Sequence, residues 1–449
     1  MKKNKLIALF LLCILPVSLF ANQLFVDIPE SSSVRETLVE DWFLANLDLL
    51  RGKSAEVIQD RAGSAFQVRF EEYGEECAII VAPETIEKVD SYTDAGVQSF
   101  YRSAFPLGIR GCWVLFRDTE RGKTTCIRYY ISQNPEVFVQ FKPSKSTSQN
   151  KSSADFVVFG TYAAKDVPVG VPLEDFFSLT FNDIYKLTEK TLPWFEQVFY
   201  PELYADSFYM IGVIRKNLER FNKLEGAAYD EDGNPVFIKD SVPRYEEYSS
   251  EENKPLYTCD AGFLKWIVDG IIRPISGSGL LLAPLKRDTV FPNETSYAYS
   301  VNEEYDIYFS LNWIRNMAAA TASVLSGHEF FYEDSGVEVK TVTFNNIYSN
   351  AAGYSIPFLK PLMYNLCITE PGRFYLGAIR HTIASENGQE VSVYTECAAF
   401  FPVLDEEGKF GLVIFENGEE LSFSDFVKKH QGDTIHLTRV TASSNFFPR

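Results

Sequence analysis

The chain has 449 residues, a formal net charge of −19, 46% hydrophobic residues and 15% aromatic residues. That composition is globular, with length for two or three domains, and it is too apolar for a disordered chain. The acidic balance excludes a general affinity for nucleic acid or anionic membrane, whose phosphates it repels.

The chain opens on Met1-Lys2-Lys3-Asn4-Lys5, a short positive segment, followed by an apolar run over residues 6–19 and then Phe20-Ala21. This order of charge, apolar core and small residue predicts a cleavable secretory signal peptide over residues 1–21. Fourteen helical residues span roughly 21 Å, short of a bilayer core of about 30 Å. Cys13 lies in the middle of the run and not at its end, so lipid attachment is not expected. Cleavage would remove Lys2, Lys3 and Lys5, leaving 428 residues with a net charge of −22. No later segment has 18 uninterrupted apolar residues, so no stable membrane insertion is expected. The expected location is the periplasm or the outside of the cell.

A helix follows, with Ser33 and Glu36 as a capping box ahead of Val34, Leu38, Trp42, Leu47 and Leu50, and Gly52 as its stop. Strand patterns then recur at residues 65–70, 77–82, 111–116, 124–131, 136–141 and 155–159. Residues 143–153 are polar and of low complexity, which predicts a mobile loop. Residues 22–165 therefore read as a β-rich domain, a sandwich or half-barrel. Apolar residues at helical spacing over 172–224 mark 166–225 as a helical connector. Asp230-Glu231-Asp232-Gly233-Asn234 places its glycine too early for a calcium loop and reads as a turn. Asp405-Glu406-Glu407-Gly408 and Glu416-Asn417-Gly418-Glu419 read as turns between strands. Glu303, Glu304 and Asp306 read as the acidic first turn of a helix that runs into Ala318-Ala319-Ala320.

Beyond Cys13 there are six cysteines, at 77, 112, 126, 259, 367 and 397. Cys112 and Cys126 flank a hairpin turn at 120–123 and are the pair expected to bond if any does. No spacing suits zinc, and neither a metal nor a cofactor is expected.

The most informative stretch is Tyr257-Thr258-Cys259-Asp260-Ala261-Gly262-Phe263-Leu264-Lys265-Trp266. Phe263, Trp266 and Ile267 share a helix face, and Thr258 or Asp260 can cap its start. A cysteine at a helix N-terminus meets unpaired amides and a dipole that favour thiolate, so a lowered pKa is expected for Cys259. Gly262 would let a neighbouring strand approach the helix.

This stretch resembles the active-site helix of NlpC-type cell-wall cysteine peptidases, whose motif is Asp-Cys-Ser-Gly-(Leu/Phe). Glu370-Pro371-Gly372-Arg373-Phe374 is similar to the segment preceding that family's histidine strand. Glu396-Cys397-Ala398-Ala399 resembles the histidine strand itself, and residues 411–417, ending in Asn417, resemble the strand of the third catalytic residue. The resemblance covers roughly residues 225–440 and implies a papain-like α+β domain over 226–449, acting on peptidoglycan peptides. Aligned on Gly262, Asp260 takes the nucleophile position, Cys259 the preceding one, and Glu396 with Cys397 stand where an imidazole belongs. A carboxylate does not replace a thiolate in acyl transfer.

The reading that results is an exported α+β protein with a degraded catalytic triad. It is leaning away from an enzyme and towards binding of a peptidoglycan stem peptide, or scaffolding with an envelope protein. An active cysteine endopeptidase or amidase remains open, with Cys259 as nucleophile, His381 as base and Glu396 or Asn417 orienting it. So does a structural or adhesive envelope protein without peptidase kinship. The other histidines have plain readings. His328 sits in a turn, His430 in a charged segment as an exposed or hydrogen-bonded ring, and His436 alternates with Ile435 and Leu437 and is expected to face solvent.

Overall fold

The computed structural model describes residues 28–93, 96–145, 151–194, 200–242, 255–290, 306–340, 342, 348–384, 388 and 390–449. The signal-peptide segment, Glu303, Glu304 and the centre of the 143–153 loop lie outside these residues. The chain is of mixed α+β class and divides into two compact units, Met1–Phe199 and Tyr200–Arg449. The stretch read as a helical connector is shared between them.

The first unit is built on one antiparallel sheet. Its strands are β1 (Glu56–Gln59), β2 (Ala65–Tyr73), β3 (Glu76–Pro83), β6 (Trp113–Asp118), β7 (Thr124–Tyr130), β8 (Val137–Pro143), β9 (Ser152–Val158) and β10 (Thr161–Pro168), in that spatial order. β4 (Thr85–Thr93) and β5 (Gly96–Ala104) leave the sheet as a separate two-stranded ribbon. Helices α1 (Ser32–Leu38), α2 (Leu47–Arg51) and α3 (Phe181–Thr188) complete the unit.

The expected first helix is broken. Ser31, not Ser33, caps α1 by accepting from the Val34 amide, and Asn46 caps a new helix by accepting from Asp48. A π-type turn, Val39–Phe43, joins the pieces and buries Trp42 and Phe43. Phe43 and Phe177 pack on Trp113, and Tyr129 meets Phe141 and Phe181 edge-on. Arg35 is buried beside these rings. Its guanidinium donates to Glu30 and to the carbonyls of Phe177 and Leu179, which satisfies a charge that would otherwise be costly there.

Cys112 and Cys126, the pair expected to bond if any did, are free thiols. Register explains this: Cys126 lies opposite Phe116, four residues along the strand from Cys112. Four residues of strand are about 13 Å, and a disulfide needs Cα atoms within about 7 Å.

The second unit centres on an antiparallel sheet of β15 (Tyr354–Ser355), β20 (Thr434–Thr441), β16 (Arg373–Ala384), β17 (Glu390–Leu404), β18 (Phe410–Glu416) and β19 (Glu419–Leu421), in that order. Two small ladders accompany it, β11 (Phe221–Lys223) with β14 (Leu256–Thr258) and β12 (Ala227–Tyr229) with β13 (Pro235–Phe237). Its helices are α4 (Ala205–Asn217), α5 (Asp260–Ser276), α6 (Leu282–Leu285), α7 (Phe309–Ser326), α8 (Tyr332–Ser335), α9 (Leu359–Thr369) and α10 (Phe423–Lys429).

α5 and α7 pack on one another and on the sheet, mainly against β16, β17 and β20. On the other face Tyr375, Ile379, Ala398, Phe400, Ile414, Ile435 and Leu437 form a core with α9 residues and with Phe426 of α10. Both sheet faces are thus covered, so β17 reads as a continuous apolar run from Cys397 to Leu404. No helix among the described residues is long and apolar enough to cross a membrane.

Candidate functional site

The site forms where α5 begins. Cys259 is its N-cap in extended backbone, and Gly277 closes the helix at φ +83°. The Cys259 amide donates to the Ala227 carbonyl at 2.9 Å, which ties the helix start to β12. A Cβ on Gly262 would stand 2.1 Å from that same carbonyl oxygen, so the approach requires glycine. The Trp313 indole donates to the Ala261 carbonyl at 3.0 Å, tying in α7. Within α5, Lys265 and Asp269 form a buried ion pair at 2.6 Å, and Asp269 also accepts from the Leu280 amide.

A cleft of about 330 Å³ opens at this helix start, lined by Lys223, Glu225, Cys259, Asp260, Phe309, Thr395 and Asn417, among others. Thr395 belongs to β17 at a register shift, where Ile379 pairs with Glu396 but the next residue, Arg380, pairs with Tyr394. Such a bulge re-aims side chains next to a site. Asn417 and Gly418, both at positive φ, make the two-residue turn from β18 to β19.

The structure brings together five of the six residues singled out from sequence. Cys259 and Asp260 start α5. The Cys397 backbone, Glu416 and Glu396 are all close enough to act on the Asp260 carboxylate. Asn417 lines the same cleft. Burial, reinforced by Glu416 and Glu396, pushes the Asp260 carboxyl up to about 6, against the opposing pull of Lys429. The sixth residue, His381, is on β16. Its Nε2 lies 3.2 Å from the Thr395 hydroxyl, so it touches a residue of the cleft wall. No histidine is among the residues lining the cleft.

Cys259 departs from the expectation of a lowered pKa. Burial pushes its thiol up, Asp260 adds to this, and the Gly262 and Ala261 amides oppose without prevailing. Desolvation of a thiolate outweighs the helix N-terminus here. Cys397 is completely buried, and burial raises its thiol well above the ordinary range.

Of the histidines, His436 differs from its sequence reading, and His430 takes the hydrogen-bonded form of its own. His436 is buried, not solvent-facing, because α7 and the chain around Glu338 cover that face of β20. Its Nδ1 lies 3.3 Å from the Tyr348 hydroxyl and 3.5 Å from Glu338. Glu338 also meets Arg315, Tyr332 and Lys340. His430, at the end of α10, is buried as well. Its Nε2 lies 3.0 Å from Glu416, whose other oxygen meets Lys429 at 2.9 Å. Only the proximity of His430 to charged residues was a signal, and the same signal marks ordinary surface.

The turn at Asp230 uses its carboxylate on the Asp232 and Asn234 amides, as a turn does. Asp405 does the same for Glu407 and Lys409.

A family model described as "Domain of unknown function (DUF8515)" matches residues 25–196, less than half of the chain and wholly within the first unit. No curated protein and no solved structure matches the chain.

Proposed function

We propose that the second unit is an NlpC-like, papain-type domain that binds peptide without cutting it, within an exported protein of the cell envelope. The observation that carries this reading is the pairing at the start of α5. A carboxylate, Asp260, stands in the cleft beside a thiol that burial holds protonated. A protonated thiol is a poor nucleophile, and a carboxylate at that place accepts hydrogen bonds from amines. The packing of α5 on β17, with Glu396, Cys397 and Asn417 grouped around its start, supports the kinship. The ligand that suits the cleft is a peptide with a free amine, such as a peptidoglycan stem peptide carrying a diamino acid.

Calorimetric titration of the intact protein with such a peptide tests this. Saturable binding is expected, weakened at least tenfold by Asp260→Asn or by acetylating the amine, since a charge-assisted hydrogen bond contributes about 1.5–3 kcal/mol. Equal affinity for the acetylated peptide, or no binding, overturns it. A second reading draws on the contact of His381 with Thr395: an active peptidase using Cys259 and His381. Hydrolysis that disappears in both Cys259→Ala and His381→Ala would establish that reading instead.

A further inference from the structure

β4 and β5 pair without a register shift from Thr85↔Ala104 to Thr93↔Gly96, and among the described residues β4 has no strand on its other side. The outward amides and carbonyls of β4 are therefore an open edge, a template for one more strand. The outer strands of the eight-stranded sheet are blunted by comparison. β1 has only four residues, and β10 carries two register shifts. β4 has nine residues, with neither proline nor bulge. Its ribbon also exposes apolar side chains. Ile86 and Val97 are exposed, Tyr92 is 84% exposed and Tyr101 71%. These four share one face, since position 86 pairs with 103, 88 with 101 and 92 with 97. A two-stranded ribbon is marginal by itself, and added strands with an apolar face stabilise it.

The order of side chains along β4 points to what adds those strands. Two copies of one strand, paired antiparallel about a two-fold axis, must centre on a residue, because facing residues turn the same hydrogen-bonding side to each other. Centring on Glu87, Lys88 or Asp90 sets like charges face to face, which destabilises a sheet. Centring on Val89 uses all nine residues of the strand. It sets Lys88 against the partner's Asp90, Ile86 against the partner's Tyr92, and Val89 against the partner's Val89. By symmetry the first two pairings each occur twice. Within one copy Lys88 and Asp90 already meet at 3.6 Å on the shared face, so pairing closes them into a cluster of four alternating charges. β5 has no such register, because its one charge is Arg102. The two strands together carry Glu87 and Asp90 against Lys88 and Arg102, a balanced patch on a chain of net charge −19, so the repulsion between acidic copies is not concentrated there. We propose that the open edge of β4 is a homodimer interface, where two copies join their ribbons about Val89 into one four-stranded antiparallel sheet. The proposal does not depend on what the cleft at Asp260 takes.

The test is sedimentation velocity of the full chain over a concentration series, where a concentration-dependent dimer is expected. Asp90→Lys and Lys88→Asp each set like charges face to face twice, and each should weaken the dimer about tenfold or more. The double variant, Lys88→Asp with Asp90→Lys, restores opposite signs and should recover the wild-type affinity. Both side chains are exposed, so the fold of one copy does not rest on them. Val89→Cys should give a cross-linked dimer on mild oxidation, since facing Cα atoms stand about 4.5–5.5 Å apart, whereas Gln98→Cys on β5 should not. A chain that stays monomeric at every concentration overturns the proposal. So does a dimer that the single reversals leave unchanged or that the double variant fails to recover. A monomer that floats with neutral phosphatidylcholine vesicles assigns the apolar face to lipid and overturns it as well.

Discussion

Cys259 and Asp260 are adjacent in the chain, and burial moves both titrations in the same direction, up, with opposite consequences for charge. Raising the thiol keeps it neutral at pH 7, while an Asp260 carboxyl at about 6 is still mostly ionised there. In the proposed reading the cleft therefore offers a carboxylate acceptor beside a protonated thiol at neutral pH. Iodoacetamide should alkylate Cys259 no faster than an ordinary free thiol at pH 7. The rate should climb only as pH passes the ordinary cysteine value of 9.0, because thiolate forms above the raised pKa. Peptide mapping of the labelled cysteine over a pH series checks this, and a rate plateau below pH 8 would contradict it.

Glu338 moves the other way. Burial works against its charge, but His436, Lys340, Tyr332 and Arg315 outweigh it and hold the carboxyl well below the ordinary value of 4.5. A depressed folded-state pKa contributes stability that is complete above about pH 5 and is lost as pH falls below the unfolded value towards the folded one. The stability difference between the wild-type chain and Glu338→Gln, measured by urea denaturation, should thus be constant from pH 5 to 7 and shrink below pH 4. A difference that grows on acidification would contradict the network described.

At the scale of elements, the start of α5 is fixed by contacts that side chains cannot replace. Gly262→Ala would drive a methyl into the Ala227 carbonyl and should cost about 1–3 kcal/mol in denaturant unfolding. An unchanged midpoint would mean that β12 is not held against the helix. The helix itself was legible, because Phe263, Trp266 and Ile267 recur at helical spacing, and so were β2, β3 and β6–β9, whose alternation or apolar runs fall within a few residues of the observed strands. The Asn417-Gly418 turn was legible from its positive-φ residues. Strand register was not, which is why Cys112 and Cys126 looked like partners. Nor was the covering of both faces of β20. Alternation around His436 reports which residues share a face, but not whether α7 and Glu338 close over that face. The burial of His430 was not legible for a related reason: Glu396, Glu416 and Asp433 come to it from β17, β18 and the chain beyond α10, and no local spacing encodes that meeting.

For the molecule as a whole, the family match covers the first unit and the chemistry-bearing cleft lies in the second. Under the proposed reading as an exported protein, the N-terminal charge and apolar pattern predicts cleavage after Ala21. Intact-mass measurement of the secreted protein should therefore give a chain beginning at Asn22, and retention of residues 1–21 would contradict it. The central claim concerns what the cleft of the second unit does with a peptide. Its most direct test is prolonged incubation of the full chain with an amine-bearing stem peptide, followed by mass spectrometry of the peptide and of the protein–peptide complex. Here we expect a complex in which the peptide keeps its full mass. Peptide fragments that appear with the wild-type chain and vanish with Cys259→Ala would contradict the account.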